Sequence, residues 1–169
     1  MKDHKTFMRI ALAEAKKALD ANEFPVGCAI VANNEVVATG HRANSRNDSA
    51  NELDHAEIVA LRQLLANYPD IDRNSLILYS TMEPCLMCYA TLLLNGVRTI
   101  VYGYEDAMGG GTSLDLATLT PLYQQMQVEL IPNFLRQESL ELFKLFFSNP
   151  DNNYWRDSLL ADYTMKQPA

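Results

Sequence analysis

Positive charge is what this sequence has least of. Fourteen lysines and arginines stand against twenty-one aspartates and glutamates, a net charge of −7. Proteins that grip nucleic-acid phosphates ordinarily carry a basic surface, so this balance argues against that class, although a local patch is compatible with it. Cysteine is also sparse, with three in 169 residues. That excludes a disulfide-stapled framework and makes a reducing, cytoplasmic setting the expectation. No apolar run approaches the ~20 residues that a membrane-spanning helix needs. The opening MKDHKTFMRIALAEAKKAL has charges throughout and no small-residue cleavage site, so it reads as an amphipathic helix and not as a signal peptide. Internal repeats, linkers and low-complexity segments are missing, which leaves a single domain with room for a proper core.

What is present alternates between two periods. Phe7, Ile10, Ala11, Ala15, Ala18 and Leu19 recur at helical spacing. Two β-branched runs then flank Asn33 and Asn34, a pair that tolerates positive φ, and predict a hairpin. The polar stretch RANSRNDSANELD predicts a surface loop. A helix follows in HAEIVALRQLLANY and stops at Tyr68, because the residue before a proline disfavours the α region. SLILYST and RTIVYGY predict strands buried on both faces, with VELIP a shorter one. Between them Pro84 is placed to open a helix that ends at Gly96. Phe134, Leu135, Leu142, Phe143 and Phe146 mark another helix, and Trp155, Leu159 and Leu160 a last helical stretch packing back on the body. Helices interleaved with buried strands predict a three-layer α/β/α domain around one sheet.

Chemistry concentrates in EPCLMC, where Cys85 and Cys88 stand three apart after a proline. Such a pair serves in thiol–disulfide exchange, in a closed structural zinc site or in an open catalytic one. The closed site needs two more ligands, and only Cys28 and the isolated His4 and His41 remain for it. The open site needs one, and His55 in HAE supplies it. One imidazole and two thiolates leave a fourth position of tetrahedral zinc for water. Cys85 and Cys88 lie within one helical turn and His55 starts another helix, so two positive helix ends favour the thiolates. Glu57, two residues beyond His55, is then placed to move the water's proton. Alone, a glutamate in a helix's first turn is an ordinary dipole partner. With HAE and PCxxC in this order, both at helix starts, the catalytic reading prevails.

The order His-x-Glu, then Pro-Cys-x-x-Cys, matches the signature of zinc nucleobase deaminases. From its first helix to about Phe147 the chain resembles the cytidine deaminase superfamily. EFPVGCAIV, HAEIVALR, EPCLMC and YGYEDAMGGGTS are most similar to bacterial tRNA adenosine deaminases and the related guanine and cytosine deaminases. The resemblance implies a mixed five-stranded sheet between helices, a deaminase domain over residues 1–150, and a tail over 151–169 that packs on that domain or on a dimer partner. It implies zinc on His55, Cys85 and Cys88. Glu57 would take the water's proton, pass it to a ring nitrogen and help expel ammonia, while backbone around Cys85 contacts the attacking hydroxyl. A homodimer is implied as well.

Substrate contacts are also read through the resemblance. Relatives carry GHN where this chain has GHRAN, so Asn44 becomes the expected substrate-binding asparagine, with Asn47 and Asn51 as alternatives. Phe24 and Pro25 are expected in the pocket wall, and Val26 beside them in the core. Asp106 matches an aspartate in a substrate-facing loop. Glu83 is expected to be structural, Cys28 a buried strand residue, and Gly109, Gly110 and Gly111 a turn or lid, since no lysine follows them to make a phosphate cradle. Where tRNA deaminases continue into a basic helix, residues 138–169 hold Lys144, Arg156 and Lys166 against Glu138, Glu141, Asp151, Asp157 and Asp162. The expectation is therefore a hydrolytic deaminase of a free nucleobase, nucleoside or similar heterocycle. A tRNA adenosine-to-inosine editor is the alternative within the class, and a non-enzymatic zinc-binding or thiol-redox protein the alternative outside it.

Overall fold

The computed structural model describes residues 3–46 and 50–168. Five strands form one mixed sheet in the order β2-β1-β3-β4-β5. The hairpin supplies β1 (Gly27–Ala32) and β2 (Glu35–His41), joined through Asn33 and Asn34 at φ 50° and 66°. Positive φ at both turn positions is what a two-residue type I′ connection demands, and asparagine tolerates it. β3 (Ile77–Met82) pairs antiparallel with β1. β4 (Thr99–Tyr104) and β5 (Glu129–Ile131) then add in parallel. β1 and β3, at the centre, are buried at every position, which is why their sequences show no polar alternation.

Side-chain alternation divides the core between two helical layers. Cys28, Ile30, Leu78, Met82, Ile100 and Tyr102 face α2 (Ala56–Asn67) and α3 (Leu86–Leu94). Val31, Ile77, Tyr79 and Val101 face the other way, onto Phe7, Met8 and Ala11 of α1 (His4–Asp20). After β4 the chain makes a short helical turn, α4 (Pro121–Gln124), before β5. α5 (Arg136–Ser148) lies on the α1 side, where Ser139 closes over Gly103. The three-layer mixed sheet is thus the architecture that the sequence predicts. Among the described residues no helix is long and apolar enough to cross a membrane.

Three boundaries differ from the sequence reading. Pro84 does not open α3: Cys85 is the N-cap and the helix starts at Leu86. Phe134 and Leu135 precede α5, Leu135 being its left-handed N-cap at φ 52°, while Leu140 joins Phe143 and Phe146 in the core. The last helix, α6, covers only Leu159–Lys166. Trp155 sits before it in a turn at φ 53°, and Leu159 points to solvent while Leu160 is buried.

α6 is held by polar contacts as well as by Leu160. Arg136 donates to Glu105 from Nε at 2.7 Å and from Nη2, and Tyr163 donates to the same carboxylate at 2.7 Å. Burial disfavours the ionised Glu105, but the hydrogen bonds from Arg136 and Tyr163 outweigh it and hold the pKa below the ordinary carboxylate value. A depressed pKa contributes stability above the unfolded value, which is lost as pH falls through the folded one. Wild type is expected to exceed Glu105→Gln in stability near neutrality by ~0.5–1 kcal/mol, screening included. Thermal melts of both proteins down to about pH 3 check this, since below the unfolded carboxylate pKa of ~4.3 the difference shrinks. A gap that persists at acid pH overturns the assignment.

Candidate active site

The end of β3 and the starts of α2 and α3 converge on one point. His55 is the N-cap of α2 and Cys85 the N-cap of α3, with Cys88 in that helix's first turn. His55 Nδ1 lies 3.5 Å from the Sγ of Cys85 and 3.5 Å from that of Cys88. All three donor atoms fall within 4.8 Å of one another. Tetrahedral zinc with bonds of about 2.0–2.1 Å to nitrogen and 2.3 Å to sulfur separates such donors by about 3.6 Å. The donors therefore fit zinc in type, number and spacing, and leave one position for a fourth ligand.

Electrostatics prepare the same donors for a cation. A hydrogen bond from Cys88, opposed by burial and reinforced by His55, lowers the Cys85 thiol to about 4. The direction favours the thiolate at Cys85. Cys88 is pushed up by that shared proton and by burial, and a bound cation displaces the proton. Glu57 stands alongside, 3% exposed in the first turn of α2. Its Oε1 accepts from Ser80 Oγ of β3 at 3.2 Å, and its Oε2 faces Cys88 Sγ at 3.5 Å. Burial raises the Glu57 pKa, the direction that suits a carboxyl which must take up and release a proton near neutral pH.

Above these residues opens a cavity of about 150 Å³. His55, Glu57 and Cys85 belong to its lining. Phe24, Val26, Met82 and Leu160 give apolar walls, and Arg42, Glu52 and Asp106 the polar ones. Tyr154 and Trp155, from the segment between α5 and α6, complete it.

The sequence model for the cytidine and deoxycytidylate deaminase zinc-binding region matches residues 1–104. That span contains the three donors and Glu57. The chain belongs to this family of zinc-dependent deaminases. Among curated relatives, a tRNA-specific adenosine deaminase 2 of Danio rerio is 33% identical over 88% of this chain and 72% of its own length. A tRNA-specific adenosine deaminase of Streptococcus pyogenes serotype M18 is 30% identical over 83% of this chain and 87% of its own. A structure solved in work on A-to-I editing by tRNA:A34 deaminases superposes with a TM-score of 0.70 at 27% identity, over 82% of this chain and 99% of that one. A guanine deaminase from Nitrosomonas europaea shares the fold, with a TM-score of 0.68 at 18% identity over 86% and 85% of the two chains. The CxxC pair of this deaminase is accordingly read with zinc and hydrolysis, not with thiol exchange.

The deaminase's glycine run is a wedge against the metal site. Gly111 N donates to Pro84 O at 2.9 Å, and Gly110 forms an isolated antiparallel bridge with Cys85. A Cβ on Gly111 would come within 2.5 Å of Leu86 N, so only glycine lets this loop approach the start of α3. Glu83 clamps the loop by accepting from Thr112 Oγ1 at 2.5 Å, Thr112 N at 3.2 Å and Asp106 N at 3.2 Å. Asp106 in turn accepts from the backbone of Met108 and Gly109 at 3.0 and 2.8 Å while lining the cavity. Burial raises its pKa.

The loop before His55 departs most from the sequence reading. Asn44 is not in the cavity lining: it sits at φ 54°, and its amide donates to Asp54 Oδ2 at 2.7 Å. Asn51 donates to the same oxygen at 2.9 Å and accepts from Leu53 N and Asp54 N. Both asparagines therefore build the loop. Asn47 lies outside the described residues. The side chains of this loop that reach the cavity are Glu52 and Arg42, the latter 2% exposed. Arg42 donates to Ala43 O and Asn51 O, both at 2.6 Å, and lies 5.7 Å from the Tyr154 ring centre. The turn before β1, where Val26 N donates to Phe24 O at 2.8 Å, places the neighbouring side chains: Phe24 and Val26 line the cavity, and Pro25, buried between them, does not. Cys28 is buried, with Sγ 3.1 Å from Ala56 O, and is no part of the donor set.

Arg42, Glu52 and Leu160 were not singled out from sequence as pocket residues. Leu160 shows only once the tail is folded back. Glu52 carries a weak signal, a carboxylate three residues before His55.

Proposed function

We propose that this deaminase acts on a small amino-substituted heterocycle, a free nucleobase, nucleoside or close relative. The observation that carries the reading is the origin of the cavity wall: Tyr154, Trp155 and Leu160 all come from the C-terminal segment. Phe24 fastens that segment by packing its ring 5.3 Å from Tyr154 and 5.3 Å from Phe146. A cavity of about 150 Å³, covered this way, lies below the ~300 Å³ at which ordinary ligand sites begin. It suits one flat ring system. The net charge of −7 and the acidic balance of residues 138–169 point the same way.

His55, Cys85 and Cys88 would hold zinc, which would lower the pKa of a water from ~15.7 to about 7 and so make a nucleophile available near neutral pH. The rest falls to the protein. Glu57 takes the proton of that water and delivers it to the ring nitrogen, then assists the amine as it leaves. One C–N bond breaks, one C–O bond forms, water is consumed and ammonia is released. Phe24, Val26 and Met82 hold the ring by its faces and exclude bulk water. The Asp106 carboxylate, oriented by two backbone N–H groups, offers an acceptor for a ring N–H or amine.

A second reading has specific support, since the curated relatives at 30–33% identity are named as tRNA-specific adenosine deaminases. One panel separates the two: ammonia release from free bases, nucleosides, amino-triazines and an anticodon stem-loop. Trp155, the single tryptophan, lines the cavity and reports occupancy by its fluorescence. A reacting free heterocycle that also perturbs Trp155 emission is expected. Turnover of the stem-loop alone overturns the small-substrate reading.

A further inference from the structure

The imidazole of His55 has two nitrogens with different duties. Nδ1 faces the two sulfurs, so for it to offer a lone pair to zinc the ring proton must sit on Nε2. Nε2 lies 3.2 Å from Oε2 of Glu52. A carboxylate there accepts the Nε2 proton, fixes the tautomer and raises the basicity of Nδ1.

Glu52 is itself held from two further sides. Tyr154 O–H donates to it at 3.0 Å to Oε2 and 3.2 Å to Oε1, and Arg42 Nη2 lies 3.3 Å from Oε2. Arg42 is immobilised by its bonds to Ala43 O and Asn51 O, so it is a fixed cation and not a surface partner. The backbone presents Glu52 through the turn that Asn51 closes on Leu53 N and Asp54 N. Three unrelated elements therefore meet at one carboxylate: the ligand histidine, the loop before α2 and the C-terminal segment that covers the cavity.

We propose that Glu52 is the positioning residue for His55, with Tyr154 of the C-terminal segment holding the Glu52 carboxylate in place. The inference rests on His55, Cys85 and Cys88 as the zinc site. Its effect is bounded by exposure: the Glu52 side chain is 60% exposed, so water weakens its bonds. The expected loss therefore lies at the low end of the 10–100-fold that outer-shell partners of zinc ligands typically command.

Zinc affinity by chelator competition, with the ligand-field spectrum of the cobalt(II)-loaded protein, tests this on the full chain. Glu52→Ala is expected to weaken zinc by about 10-fold and to shift the cobalt bands. Glu52→Gln keeps an acceptor but not its charge and is expected between Glu52→Ala and wild type. If Glu52→Ala does not fold, Glu52→Gln carries the test. Wild-type affinity and spectrum in the folded variants overturn the positioning role. His55→Ala separates the two levels. If it abolishes tight zinc binding while the Glu52 variants do not weaken it, only the positioning role falls. If zinc binding survives His55→Ala, the metal-site reading falls with it.

Discussion

Replacing Glu57 with glutamine is expected to leave a folded protein that still takes up one zinc and has lost roughly 10³-fold in ammonia release, within the 10²–10⁴-fold that a positioned acid–base group supplies. The substitution preserves shape in a site where shape matters, because the side chain is only 3% exposed. Ser80 Oγ, 3.2 Å from Oε1, keeps an acceptor in the amide oxygen. What the amide loses is the capacity to bind a proton and return it. If Glu57 merely placed a negative charge at the start of α2, the change would cost ~0.3–1 kcal/mol of stability and leave turnover intact. The two readings thus separate on different instruments, a melting curve and an ammonia assay on zinc-loaded protein. Turnover within tenfold of wild type would refute the role assigned to Glu57.

The cluster of His55, Glu57, Cys85 and Cys88 was legible in sequence because local spacing alone brings these residues to two helix starts. His55 and Glu57 share one turn, Cys85 and Cys88 another, and only the approach of the two helices is a tertiary fact. The pocket walls were less legible because they depend on long-range folding. Tyr154 meets Glu52 across about a hundred residues of chain, and no local pattern encodes that meeting. Asn44 shows a different failure. An asparagine in a loop next to a catalytic motif suits substrate binding and loop building equally well, and its neighbours decide between them. Here Asp54 supplies a carboxylate for Asn44 and Asn51 together, and the asparagines turn inward onto the loop. That frees the cavity wall for Arg42, whose burial at 2% would look prohibitive from sequence, since arginine is seldom buried without partners. The partners are two backbone carbonyls, Glu52 and the face of Tyr154.

The C-terminal segment carries the argument about substrate for the same reason. Trp155 and Leu160 read as one helical stripe but serve on two sides of a helix start. Trp155 lies in the preceding turn and lines the cavity half-exposed, and Leu160 enters the core from α6. The segment is pinned at one end by Phe24 and at the other by the Glu105–Arg136–Tyr163 cluster, the arrangement on which the proposed small substrate rests.

Cys88→Ala is expected to remove stoichiometric zinc and, with it, the stability that zinc confers. A ligand that binds only the folded state adds RT ln(1 + [L]/Kd), about 4 kcal/mol at a thousandfold excess over Kd. For a chain of this size 1 kcal/mol moves Tm by roughly 2–4 °C, so zinc is expected to raise the wild-type Tm by about 8–16 °C over chelator-treated protein. In Cys88→Ala that gap closes, although alanine suits the first turn of α3 and replaces a side chain buried completely. The third cysteine makes the contrast decisive. Cys28 is equally buried, but its Sγ faces Ala56 O in the core, with burial pushing its thiol pKa up. Cys28→Ala is therefore expected to keep one zinc per chain and the full zinc-dependent rise in Tm, whatever it costs in packing. Loss of zinc from both variants alike would mean that burial of a thiol, and not its place in the donor set, governs the metal. Loss from Cys88→Ala alone assigns the metal to the helix start at which His55 points.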